Sequence, residues 1–247
     1  MYSKIIFLLT AFLAMNILTF ADAKKAEDLI EKSIKATGGK EKFENIKTFS
    51  LTADMNVPSQ NMDINIDFWL KKPNKMRLVQ NIASMGMTVE AGTDGDKYWA
   101  IQPGSTTKTA LPDMAVAQVK GQLDGLKTIL DSPLMNYKEK NYKISYSGLE
   151  DIDEKKCNVV KIVDEENNET DFYFDAITNL IYCSKSKVNA NGEDFIVEMK
   201  INEYQKVDGL FIPKRIEIAQ NSEVQTKIAI SEVKFNPEIN DSDFKAE

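Results

Sequence analysis

TFSLTADMNVPSQNMDINIDFWL, residues Thr48–Leu70, decides the fold class. Phe49, Leu51, Ala53, Met55 and Val57 alternate strictly with Thr48, Ser50, Thr52, Asp54 and Asn56. After the turn residues Pro58–Asn61, the return run sets Met62, Ile64, Ile66, Phe68 and Leu70 against Asp63, Asn65 and Asp67. Side chains on a strand point to opposite faces in turn, so this pattern predicts two antiparallel strands with one face in water and one against something apolar. Trp69 breaks the parity and is expected on the outer surface.

Working outward, strands are expected at Lys75–Ile82, Met85–Ala91, Lys97–Gln102 and Thr106–Leu111. From Tyr142 to Phe235 the strand pattern returns, with turns at Asn167-Asn168, Ala190-Asn191-Gly192 and Asp208-Gly209. Two helical segments interrupt the strands. Lys24–Thr37 places Ala26, Leu29, Ile30, Ser33 and Ile34 on one helical face and is stopped by Gly38-Gly39. A Pro112-led segment to Leu130 carries Val116, Val119, Leu123, Leu126 and Leu130 at helical spacing, weakened by Gly121 and Gly125. The whole predicts a mainly β (α+β) protein: an incomplete antiparallel β-barrel or strongly curved sheet of about ten or eleven strands covered by helices. The glycines make the second helix a candidate movable cover, with a fixed core-packing helix as the alternative.

Lys4, the apolar run Ile5–Phe20 and Ala21-Asp22-Ala23 read as an export signal cut after Ala23. Residues 24–247 then form one domain, acting as a monomer outside the cytoplasm. The net charge of −7, without a basic run, disfavours nucleic acid as a partner. The chain has no histidine, which removes Ser-His-Asp and Cys-His nucleophiles and most zinc sites together. No cofactor, metal or catalytic residue is expected. Gly38-Gly39-Lys40 lacks the remainder of a phosphate loop, and Asp94-Gly95-Asp96 lacks the further oxygen ligands of a calcium loop. The acidic groups Asp151, Asp153, Glu154 and Asp164-Glu165-Glu166 leave a carboxylate-based hydrolase as a remote alternative. Cys157 and Cys183, the two cysteines, fall on strands separated by a third, so free buried thiols are expected.

The methionines point to a ligand surface. Met55, Met62, Met76, Met85 and Met87 fall on the apolar faces of consecutive expected strands, and methionine adapts to ligands of imprecise shape. The residues expected to contact an apolar ligand are Leu51, Met55, Ile64, Ile66, Phe68, Met76, Met85 and Met87, with Val116, Leu123 and Leu126 on the cover. Ordinary core packing of the same residues is the alternative.

Ala36-Thr37-Gly38-Gly39 leading into Lys47-Thr48-Phe49, then Lys72-Pro73-Asn74-Lys75-Met76-Arg77 and Asp94-Gly95-Asp96-Lys97-Tyr98-Trp99, form an ordered series along the chain. Asp171-Phe172-Tyr173-Phe174-Asp175 and Val207-Asp208-Gly209-Leu210-Phe211-Ile212-Pro213 complete it. In this order the chain resembles the LolA/LolB-like superfamily, in particular the outer membrane lipoprotein-sorting group. The resemblance implies a helix-covered, incomplete barrel whose apolar concave face holds acyl chains of lipoproteins or lipids in the periplasm. It further implies an inner-membrane donor and an outer-membrane acceptor. Related folds also serve as envelope sensors that read acylated ligands, which stands as the alternative function.

Overall fold

The computed structural model describes residues 21–102, 104–190 and 192–246. The export signal expected over residues 1–23 therefore lies, but for its last three residues, outside the described residues. Helix α1 covers residues 21–36 and the short α2 covers Lys40–Glu44. The strands are β1 (Thr48–Val57), β2 (Met62–Lys71), β3 (Lys75–Ile82), β4 (Met87–Thr93), β5 (Tyr98–Ile101) and β6 (Lys108–Ala110). After α3 (Asp113–Lys127) come β7 (Lys143–Ile152), β8 (Lys155–Val163), β9 (Glu169–Asp175), β10 (Ile181–Ala190), β11 (Glu193–Val207), β12 (Leu210–Gln220) and β13 (Glu223–Phe235).

Among the described residues, thirteen strands form one antiparallel sheet in the order β6-β5-β4-β3-β2-β1-β13-β12-β11-β10-β9-β8-β7. This exceeds the ten or eleven expected. Chain order explains the arrangement: β1 to β6 run outward as a meander, β7 to β13 run back, and β13 joins β1. The two sheet edges, β6 and β7, are therefore consecutive in sequence. Their connection carries α3 across β3, β4 and β5, so one segment links the two edges of the curved sheet and supplies its helical cover.

The alternation in Thr48–Leu70 sets the register. Phe49 faces Leu70, Leu51 faces Phe68, Ala53 faces Ile66 and Met55 faces Ile64. On the far side of β1, Phe49 faces Phe235 and stacks on it with ring centroids 6.1 Å apart, and Phe68 meets Phe49 edge-on at 6.4 Å. Leu123 of α3 and Leu130 just beyond it are buried into this cluster, and α3 packs on β3, β4 and β5. Trp69 lies on the outer surface, with the Arg77 guanidinium 4.9 Å from its ring.

A second cluster lies at the other end of the inner face. Ala26, Leu29 and Ile30 of α1 pack with Leu134, Tyr137, Val160, Ile162, Phe172 and Phe174. The last turn of α1 is then tied to the sheet: Gly39 N–H donates to Ile34 O at 2.9 Å, and Phe211 N–H donates to Thr37 O at 2.9 Å. Gly38 sits at φ +120°, and a Cβ there would lie 2.6 Å from Leu210 Cδ2 and 2.8 Å from Gly209 O. Only glycine lets the helix end approach the β11–β12 turn so closely.

The outer face of β8–β10 carries a small cluster of Cys157, Val159, Tyr173, Tyr182 and Cys183. Lysine stems shield it, with Lys185 Nζ 5.3 Å from the Tyr173 ring and Lys155 Nζ 4.9 Å from the Tyr182 ring. Strand β9 separates the two cysteines, and both thiols are free and buried.

Candidate functional site: an uncharged cavity between two cores

The two inner clusters do not meet everywhere. Between them lies a cavity of about 270 Å³, walled by the last turn of α1, the segment 128–135 and the inner faces of β9 to β12. Ile34, Leu130, Met135, Phe172, Met199 and Ile201 supply much of its apolar wall, and none of its lining residues carries a charge. The local sequence explains why space remains here. Three inward positions on β9 and β10 are short and hydroxylated: Thr170, Ser184 and Ser186 all line the cavity, and Thr170 Oγ1 and Ser186 Oγ share a hydrogen bond of 2.8 Å. Inward positions on β1 and β2 hold Phe49, Leu51, Phe68 and Leu70, which fill that half of the sheet. Among the described residues the buried polar side chains are Ser33, Thr93 and Ser184, and two of these three line the cavity. Tyr204 keeps its hydroxyl satisfied by donating to Ile181 O at 2.7 Å.

At one end, sharing Ile34 and Met135 with the cavity, is a polar cleft lined by Glu31, Lys35, Lys40, Tyr137, Lys138 and Glu139. Lys40 pairs with Glu139 at 2.7 Å, and Lys138 pairs with Glu27 and, at 3.4 Å, with Glu31. These pairs join α1 and the start of α2 to the 136–141 loop. The Tyr137 side chain is only 6% exposed, and its hydroxyl has no hydrogen-bond partner among the described residues. Burial pushes its pKa up.

The residues expected to contact lipid lie elsewhere. Leu51, Ile64, Ile66, Phe68 and Met76 are buried in the first core, with Met55 packed against it, and none of the six lines this cavity. Met87 begins β4 and is half-buried, also away from the cavity. Met85 is 61% exposed, because Ala83–Met85 forms a 3-10 turn closed by left-handed Gly86; β4 therefore starts at Met87, two residues later than the expected strand. Of the expected cover residues, Leu123 is fully buried, Leu126 packs on the same core, Val116 is half-buried, and none of the three reaches the cavity. The cavity's own cover is the segment after α3, from Thr128 to Met135.

Of the acidic groups, Asp151 lies on β7 opposite Lys156 and the others sit in turns. Asp164 Oδ1 accepts from Glu166 N–H at 2.9 Å and Asn168 N–H at 2.8 Å, and Asp94 Oδ1 accepts from Asp96 N–H and Lys97 N–H. Asp153 and Glu154 make the left-handed β7–β8 turn.

The structure aligns with a LolA superfamily protein from Nitrosomonas europaea at TM-score 0.57, covering 89% of this chain and 97% of that one at 12% identity. The two chains share a fold. An outer membrane lipoprotein-sorting protein domain from Vibrio parahaemolyticus aligns at TM-score 0.55 and 8% identity, covering 90% of this chain and 97% of that one. A DUF1329 family protein from Desulfovibrio piger aligns at TM-score 0.60 and 11% identity, covering 89% and 97%. No family model matches the sequence, and no curated protein matches it. At these identities the LolA likeness is one of backbone path. The cavity between β9–β12, α1 and residues 128–135 is read from this chain's own side chains.

Proposed function

We propose that the protein is a periplasmic carrier that binds acyl chains of lipoproteins or lipids and delivers them toward the outer membrane. In this reading residues 1–23 direct export and residues 24–247 form the lipid-binding domain, acting as a monomer between a membrane donor and a membrane acceptor. The observation that carries it is the cavity of about 270 Å³, without a charged lining residue, in a fold shared with lipoprotein-sorting domains. Each methylene moved from water into such a wall gains about 0.8 kcal/mol. A membrane offers a chain much the same gain, so transfer to an acceptor runs without a large barrier of affinity. The reading assigns no catalytic residue.

The test is displacement of a fluorescent fatty acid from delipidated protein, with Ile201→Trp as the blocking variant. Ile201 lines the cavity from β11, and an indole there intrudes on the space open to a chain. Saturable binding by the wild type and its loss in a folded Ile201→Trp protein support the carrier. A wild type that takes up no acyl probe refutes it and favours an interaction module with a filled core.

A further inference from the structure

Resting on that reading, we infer that the ligand is a single-chain carboxylic acid, its tail in the cavity and its carboxylate in the adjoining cleft beside Lys35 and Tyr137. Capacity limits the ligand to one chain. An apolar cavity of about 150 Å³ holds one benzene, so the 270 Å³ found here accommodates about eleven carbons. That is most of one chain, not the two chains of a phospholipid or the three of a triacylated protein. The space is limited because Leu123 and Leu130 already occupy the core on the β1–β3 side.

Charge places the head group. A carboxylate inside the cavity would meet no cation and would lose its hydration uncompensated. The cleft that shares Ile34 and Met135 offers what the cavity lacks. Its Lys40 and Lys138 are held by Glu139, Glu27 and Glu31, whereas Lys35 makes no ion pair among the described residues. Tyr137 lines the same cleft, and its buried hydroxyl, without a hydrogen-bond partner among the described residues, is the second donor. An ammonium and a phenol suit the two oxygens of one carboxylate, and charge-assisted hydrogen bonds are the strong ones. The head group therefore stays at the mouth while the tail enters past Ile34 and Met135.

The experiment is calorimetric titration of the delipidated full-length mature protein with octanoic, decanoic, lauric, myristic and palmitic acids. Methyl laurate, dipalmitoyl phosphatidylglycerol and a tripalmitoylated cysteine peptide complete the set. Affinity rises about fourfold per methylene up to lauric acid and then flattens, at one ligand per protein. Lauric acid binds about tenfold or more tighter than methyl laurate. Lys35→Ala and Tyr137→Phe each shrink that preference by weakening lauric acid more than methyl laurate, with the fold of each variant checked by circular dichroism. Tighter binding of the two- or three-chain lipid, or equal binding of acid and ester in the wild type, overturns the inference and leaves the acyl-carrier reading standing. Binding of none of these probes overturns both.

Discussion

Alanine at both Gly121 and Gly125 is expected to stabilise the protein by about 2 kcal/mol, because each glycine costs a helix interior about 1 kcal/mol relative to alanine. Both lie within α3, both have ordinary negative φ, and a Cβ built at either meets nothing within 4 Å. No new contact forms and none is lost, so the propensity difference is the whole effect. For a domain of this size the gain raises the melting midpoint by about 4–8 °C, read by far-ultraviolet circular dichroism. A midpoint that stays put or falls refutes the placement of this helix with its glycine face in solvent. The same variant separates a fixed helix from a moving cover. The helix buries Leu123 in the first core and lines no part of the cavity, so release of a bound acyl probe keeps its rate. A slower release shows instead that Val116, Leu123 and Leu126 move as a lid.

Gly38→Ala is expected to cost about 2–4 kcal/mol, the sum of an unfavourable positive φ and the overlap with Leu210 and Gly209, measured by urea denaturation. Asp241 holds the C-terminal turn through Lys71 at 2.6 Å and Lys75 at 2.8 Å; these two lysines lower its pKa to about 2. A lowered folded pKa gives a contribution complete above the ordinary value of 3.8 and lost as pH falls through about 2. Trp99, whose indole N–H donates to Phe244 O at 2.6 Å, therefore changes its fluorescence between about pH 4 and 2. Asp241→Asn removes that step, and an unchanged acid profile in the variant counts against the clamp. Cys157 and Cys183 are buried, and burial pushes the Cys183 thiol up to about 12, so neither reacts with Ellman's reagent until the protein unfolds. Prompt labelling of the folded protein contradicts the outer-face packing.

The β elements were legible because strict alternation leaves few choices: Thr48–Val57 and Met62–Lys71 pair as the pattern demands, and Lys75–Ile82 is a strand over its expected span. The position of the cavity was not. An apolar inward face lines a cavity or fills a core depending on what lies opposite, and sequence periodicity does not show that Leu123 of α3 is buried in one cluster with Phe68 and Leu51. The methionines divide on that ground: Met76 is core, whereas Met135 and Met199, on a short turn and on β11, line the cavity. One signal was present and unused. Ser184 and Ser186 sit at inward positions where a filled core calls for large apolar residues. Their facing was obscured by the irregular pairing between Ile181 and Cys183, which shifts the inward parity of β10. The Met85 displacement has a simpler cause, since Gly86 takes a left-handed conformation that ends a tight turn rather than continuing a strand.

The most direct test of the central claim is native mass spectrometry of the mature protein purified from the envelope without detergent. The account predicts a population heavier by one acyl-bearing molecule, released on gentle activation and absent from folded Ile201→Trp protein. A wild type that carries no adduct and takes up no added acid, at any chain length, contradicts it.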